Sequence, residues 1–297
     1  MNKWIVGARV KTLPAAVAPV LIGTSYAEKI NWSNAFLALV VSLFLQIAVN
    51  FANDYSDGVR GTDTHRIGPV RLVASGLASA SSVKAAALIS FLIAAIAGFV
   101  LALTISPWLF LVGATSIWAA WGYTGGKKPY GYFGFGELSV FIFFGLVATV
   151  GSYYIQTEQF NWQIFLLALP VGTLSCAILA INNLRDLPQD KLVGKRTMAV
   201  RIGEKNTRVF FMLLLVTAQV TALAAASISS LALITLICAP ITYRVVRQVL
   251  SGAVGAELIE VLSKTAKLQL ILLMITQMEF VGLILIELAR FDLWHLD

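Results

Sequence analysis

The chain has 297 residues, of which 58% are hydrophobic and only 12% charged, with a mean hydropathy of +0.82. A soluble protein of this size needs more polar surface to coat itself, so lipid must be the solvent for much of it. The formal charge of +7 has no nucleic-acid motif beside it, which points to anionic lipid or an anionic substrate instead.

In chain order, nine apolar runs read as helices, with cores near 12–28, 33–53, 80–104, 107–124, 134–156, 162–184, 207–227, 229–250 and 267–289. Most have about the 17–25 residues needed to cross ~30 Å of hydrocarbon. Within lipid each backbone N–H and C=O must be satisfied inside its own segment, which selects helices over open strands. The first run, with Lys3, Arg9 and Lys11 around its start and "SYA" near its end, has features of a secretory signal. Eight further spans follow it, and nothing resembles a mature soluble domain. The expected fold is therefore all-α and integral to a membrane, one polytopic domain over 1–297.

Basic residues set the expected orientation. Twenty of the 22 fall at the N-terminus or in the loops after the even-numbered spans, leaving only Lys29 and Arg290 on the other side. The positive-inside rule then places the N-terminus and those loops in the cytoplasm and the C-terminus outside. Cys176 and Cys238 lie within spans and read as packing residues. His65 and His295 are too far apart to suggest a zinc site. The glycine-rich stretch "GYTGGKKPYGYFGFGE" (122–137) does not fit the spacing of a nucleotide loop and reads as a turn.

The second span ends unusually, in "QIAVNFANDYSDGVRGTDTHR" (46–66). Helical positions three and four apart share a face, so Gln46, Asn50, Asn53, Asp54 and Asp57 form one polar stripe. Gly58 and Gly61 then permit a sharp exit, and Asp63 can fold back toward the stripe. The sixth span ends similarly, in "INNLRDLPQDKLVGKRT" (181–197), where Asn182, Asp186 and Asp190 recur at i, i+4 and i+8 with Asn183 alongside. Pro188 is expected to break that helix near Leu187 and leave Asp190 in a turn. Both clusters emerge on the same face, four spans apart, as an internal repeat of helix pairs would place them.

Two carboxylate clusters flanked by cations suit a particular ligand. Mg²⁺ prefers oxygen and is commonly held by one or two carboxylates plus substrate phosphate oxygens. Arg71, Lys128, Arg185, Lys195 and Arg196 could neutralise the rest of a diphosphate. A diphosphate at the mouth of an apolar helix ring implies a lipid tail inside it. Loss of diphosphate from an allylic prenyl group leaves a cation, which aromatic faces stabilise, and Tyr123, Tyr130 and Tyr132 are at hand. A secondary transporter is the rival class, but it would place acidic residues near mid-bilayer, whereas these lie at helix ends.

"NDYSD" (53–57) and "DLPQD" (186–190) resemble the two aspartate motifs of the UbiA superfamily of intramembrane prenyltransferases. "GARVKTLPAAVAPVLIGT" (7–24), "GPVRLVASG" (68–76), "GYTGGKKPYGYFGFGE" and "SYYIQT" (152–157) extend the resemblance over most of the first 203 residues. Within that superfamily these stretches are most similar to the branch that prenylates 1,4-dihydroxy-2-naphthoate for menaquinone. The resemblance implies nine helices around a cavity open to lipid, Mg²⁺, a polyprenyl diphosphate donor and a bacterial cytoplasmic membrane. It implies that Asn50, Asn53, Asp54 and Asp57 hold one Mg²⁺ with help from Asp63, and that Asp186 and Asp190 hold another. Lys128, Arg71, Lys195 and Arg196 would grip diphosphate. Gln46 and Asn182 or Asn183 would contact the acceptor. Other acceptors, such as 4-hydroxybenzoate or homogentisate, stay open, since no residue announces a naphthoate. Glu137 and Glu158 are expected to lie outside the site.

Overall fold

A short helix, α1 (Lys3–Ala8), precedes the first apolar run, capped by Asn2, whose side chain accepts from the Trp4 amide. There follow α2 (Pro14–Ser25), α3 (Trp32–Arg60), α4 (Ala80–Thr104) and α5 (Trp108–Gly122). α6 (Gly136–Val140) and α7 (Ala148–Thr157) are joined through a π-helical stretch, Phe141–Val147, into one rod. α8 (Trp162–Leu192), α9 (Met198–Ala224), α10 (Ala239–Leu250) and α11 (256–272) complete the set. The computed structural model describes residues 2–62, 70–228, 230–272 and 275, and every regular element among them is helical.

The expectation of nine spans is met only in part. Among the described residues, six helical rods are long and apolar enough to cross a bilayer. α2 and α5 have only 12 and 15 helical residues. α2 is cut short because Arg9 adopts a left-handed conformation (φ 52°) before it and Pro14 starts it. Pro107 and the glycine-rich turn bound α5. The span read at 229–250 is one of the six, built from a 3₁₀ stretch, Ser230–Cys238, followed by α10. Pro240, in the first turn of α10, has no N–H to carry an α-helical ladder backward. Most of the run at 267–289 lies outside the described residues.

Pro188 does not end α8, which continues to Leu192, so Asp190 is a helical residue and not a turn residue. Membrane helices tolerate proline where neighbouring groups and local adjustment re-satisfy the freed carbonyl. Helix length then explains why two spans end in carboxylates. At about 1.5 Å per residue, the 29 residues of α3 and the 31 of α8 reach roughly 43 and 46 Å, well past ~30 Å of hydrocarbon. That excess length lets their last turns reach the interface, where charge costs little.

α3 packs along α4, and α8 along α9, so each acidic helix end begins an antiparallel pair. α8 is central: 67% of its most apolar window is buried, against 28–39% in the other long rods. Small residues allow backbones to meet where lipid offers no hydrophobic drive for association. Gly145 in the π-helical stretch lies against Gly172 of α8, and a Cβ added at Gly145 would come within 2.6 Å of the Gly172 Cα. Gly23 of α2 is tighter still, since a Cβ there would meet the Thr149 carbonyl oxygen of α7 at 2.1 Å. Backbone cannot yield as a side chain does. Gly23→Ala is expected to destabilise the protein by about 1–3 kcal/mol, read as a lower melting temperature in detergent. An unchanged melting temperature would contradict the α2–α7 packing.

Candidate active site

The ends of α3 and α8 open into a cavity of about 2030 Å³. Asn50, Asn53, Asp57, Asp186 and Asp190 line it together with Arg71, Arg185 and Lys195. Apolar side chains including Phe99, Phe110, Phe143, Phe144 and Ile155 line the rest. A charged mouth and an apolar barrel thus share one space.

Asp57 is the hub of the mouth. It is 4% exposed, and its Oδ1 accepts from Lys195 Nζ at 3.0 Å. Arg71 lies 3.8 Å from Oδ2, and the Tyr132 hydroxyl also donates to Oδ1. Asp186 accepts from Arg185 through both oxygens, at 2.7 and 2.9 Å. Carboxylates and cations are thus interleaved at the mouth, with Asp57 held by Lys195 and Arg71 and Asp186 by Arg185. A diphosphate carries several negative charges, and cations already engaged by carboxylates neutralise it only in part.

The donor chemistry fits Mg²⁺, since carboxylate and carboxamide oxygens of Asn53, Asp57, Asp186 and Asp190 face one space. Among the described residues no three acidic, histidine or cysteine side chains form a ready-made metal cage. Mg²⁺ commonly takes one or two carboxylates and completes its shell with phosphate oxygens and water.

Several expected site residues do other work. Asp54 does not line the cavity. It is 1% exposed, and its Oδ2 and Oδ1 accept from the backbone amides of Leu72 and Val73 at 2.8 and 3.0 Å. Lys128 is exposed and lies outside the lining, so the structure does not bring it to the diphosphate end. Arg196 is also exposed, and it is its backbone amide that matters, donating to the Tyr132 carbonyl at 2.9 Å. Asp63 lies outside the described residues.

Gln46 and Asn50 are tied to the N-terminal segment: Asn50 Nδ2 donates to the Ala8 carbonyl and the Thr12 hydroxyl, and Gln46 Nε2 donates to Thr12 and to Asn50. Both still line the cavity, as do Asn182 and Asn183. Tyr123 and Tyr130 meet edge to face at 5.7 Å on the cavity wall. The Tyr132 ring instead lies between the Lys195 ammonium (4.7 Å) and the Arg60 guanidinium (5.3 Å). Burial, then the adjacent Asp57 carboxylate, push the Tyr132 phenol above its ordinary value, so it stays a donor. Thr124 donates to Asn53 Oδ1 at 2.5 Å.

The family model described as the UbiA prenyltransferase family matches residues 16–254. The chain belongs to the UbiA prenyltransferase family. It is an integral membrane enzyme of the prenyl-transferring class. It is 48% identical over 272 residues to the 1,4-dihydroxy-2-naphthoate octaprenyltransferase of Mycobacterium tuberculosis, covering 91% of this chain and 93% of that protein. The protein of the same name from Escherichia coli is 39% identical over 225 residues, 71% of this chain and 72% of its own length. A UbiA homologue from Archaeoglobus fulgidus bound to DMAPP and Mg²⁺ shares the fold, with a TM-score of 0.70 at 12% identity, covering 93% of this chain and 98% of that one.

Sequence reasoning misses Thr12, Thr124 and Glu137, and offers the Tyr132 face to a prenyl cation although two side-chain cations already flank it. Thr12 and Thr124 carry no signal beyond a hydroxyl near a loop. Glu137 is a lone acid ending a glycine-rich turn. The sequence places it outside the site, and it does not line the cavity, but it is buried and accepts from Asn183, which does, at 2.8 Å.

Proposed function

We propose that this UbiA-family enzyme transfers a polyprenyl group from polyprenyl diphosphate to 1,4-dihydroxy-2-naphthoate, releasing diphosphate and carbon dioxide and giving demethylmenaquinol for menaquinone. The observation that carries the reaction class is the single cavity with an acidic and basic mouth and an apolar barrel. The acceptor rests on the likeness to the two naphthoate prenyltransferases. We further propose that 1–297 acts as one unit in a bacterial cytoplasmic membrane, with the N-terminus and the mouth on the cytoplasmic side and the C-terminus outside, on the strength of the basic-residue asymmetry.

Asn53, Asp57, Asp186 and Asp190 would hold Mg²⁺, with Asp63 as a further candidate ligand. Bound there, Mg²⁺ supplies positive charge that makes diphosphate a better leaving group. Arg71, Arg185 and Lys195 bind the remaining phosphate oxygens. The apolar barrel takes the prenyl chain and keeps water from the allylic centre once the C–O bond opens. The faces of Tyr123 and Tyr130 stabilise the allylic cation.

The ring carbon bearing the carboxylate attacks that cation, forming the new C–C bond. The adjacent naphthol loses its proton and becomes a ketone, so the product of attack is a β-keto acid. Loss of carbon dioxide sends the C–C electron pair into that carbonyl, whose oxygen takes up a proton as the ring regains aromaticity. No further cofactor is required, and the protein's work is to ionise, align and exclude water.

One carbon dioxide is expected per prenylated product, with Mg²⁺ as the only addition and no turnover in excess chelator. Carboxyl-labelled acceptor reads this directly. Label kept in the product would reject the naphthoate reading in favour of an acceptor such as 4-hydroxybenzoate, prenylated beside its hydroxyl. Full turnover in chelator would reject the metal.

A further inference from the structure

Glu137 lies in the first turn of the α6–α7 rod, 4% exposed, behind the cavity wall. Its Oε1 accepts from Asn183 Nδ2 at 2.8 Å, and Asn183 does line the cavity. Its Oε2 is buried with no hydrogen-bond partner. No cation pairs with Glu137 among the described residues, unlike Asp57 and Asp186. A carboxyl group buried this way costs free energy. The helix N-terminus offsets part of that cost, but it does not explain why the carboxyl is aimed at Asn183.

We propose that Glu137 is a positioning residue that sets which end of the Asn183 carboxamide faces the acceptor substrate. An asparagine amide can sit in two orientations half a turn apart, nearly equal in shape. Glu137 Oε1 is the accepting atom of the bond that Asn183 Nδ2 donates. It therefore holds Nδ2 toward itself and leaves Oδ1 as the acceptor atom Asn183 offers to the cavity. That oxygen suits a phenolic hydroxyl, which must donate. Neighbouring Asn182 has its Nδ2 on the Ile178 carbonyl of its own helix at 3.1 Å, so its amide is oriented by backbone and not by a side chain that substitution can change. The inference rests on the proposed function, in which the acceptor is a hydroxynaphthoate, and assigns its hydroxyl a partner.

Steady-state kinetics on the purified enzyme with Mg²⁺ test it, using Glu137→Gln, Asn183→Ala and the double variant. Glu137→Gln lets the amide turn, so KM for 1,4-dihydroxy-2-naphthoate should rise roughly tenfold, the worth of one hydrogen bond. KM for the prenyl diphosphate and kcat should stay within about twofold. In the Asn183→Ala background Glu137→Gln should add nothing, because the amide it orients is gone. An equal rise in both KM values, or full additivity, overturns the proposal.

The exchanged pair, Glu137→Gln combined with Asn183→Asp, guards against a folding defect. It moves the carboxylate from one side of the hydrogen bond to the other. The new amide donates to the new carboxylate, whose other oxygen again offers an acceptor to the cavity. Recovery of acceptor KM supports the proposal, and a KM as high as in Asn183→Ala sinks it. Failure of the wild type on the naphthoate alongside turnover of another phenol would strike the acceptor reading, and the same variants assayed on that phenol would decide the amide separately.

Discussion

Asp57→Asn is expected to lower turnover by roughly 10²–10³-fold, the scale of losing one key electrostatic group in an active site. The substitution keeps size and removes charge. It puts an amide that can donate where Lys195 and the Tyr132 hydroxyl both donate now. Lys195 and Arg71 lose their carboxylate, and the metal loses a ligand. Breaking a fully buried pair costs about 3–5 kcal/mol, but these groups line an open cavity where water can replace the partner. The activity loss should therefore far exceed the loss of stability. Activity and melting temperature measured on one preparation check this, with Lys128→Ala as control because that side chain is exposed and away from the cavity. A rate within threefold of wild type would remove Asp57 from the centre of the site.

Helical spacing makes much of the site legible. The stripe on α3 and its counterpart on α8 do converge on one cavity, because i, i+3 and i+4 positions share a face however the helices pack. The limits of that rule appear at Asp54. At about 100° per residue it sits roughly 60° around the helix from Asp57, at the edge of the stripe. Spacing alone does not say whether an edge residue faces the cavity or the neighbouring turn.

Loop cations are harder for a different reason. Positive-inside topology places lysine and arginine in these loops whichever way they point, so Lys195 and Arg196 look equivalent in sequence. In the structure Lys195 is buried on Asp57 and Arg196 is exposed. Helix length is hard to read because apolar length does not reveal where Pro107 or a left-handed Arg9 bounds a helix, as they do for α5 and α2 among the described residues. Glu137 escapes notice because a single acid in a turn has no periodic partner, and its role depends on the meeting of α6 and α8.

The Asp54→Asn variant separates a metal ligand from a loop anchor. Asp54 accepts from two consecutive amides, and the turn it holds carries Arg71, the residue before Leu72. Val73 lies flat on α3 because Gly58 has no side chain, and a Cβ there would come within 2.5 Å of it. Asparagine can accept only one of the two bonds, and its NH₂ must then face the other N–H. Each hydrogen bond to a charged group is worth about 1.5–3 kcal/mol, so kcat/KM for the prenyl diphosphate should fall roughly 10–100-fold as Arg71 loses its place. The Mg²⁺ concentration giving half-maximal activity should stay near that of the wild type, while in Asp57→Asn it should rise. Mg²⁺ titrations of the two variants side by side decide the matter. A matching rise in Asp54→Asn would return Asp54 to the metal, because a carboxylate acting only on backbone amides has no route to the cation except through the loop it holds.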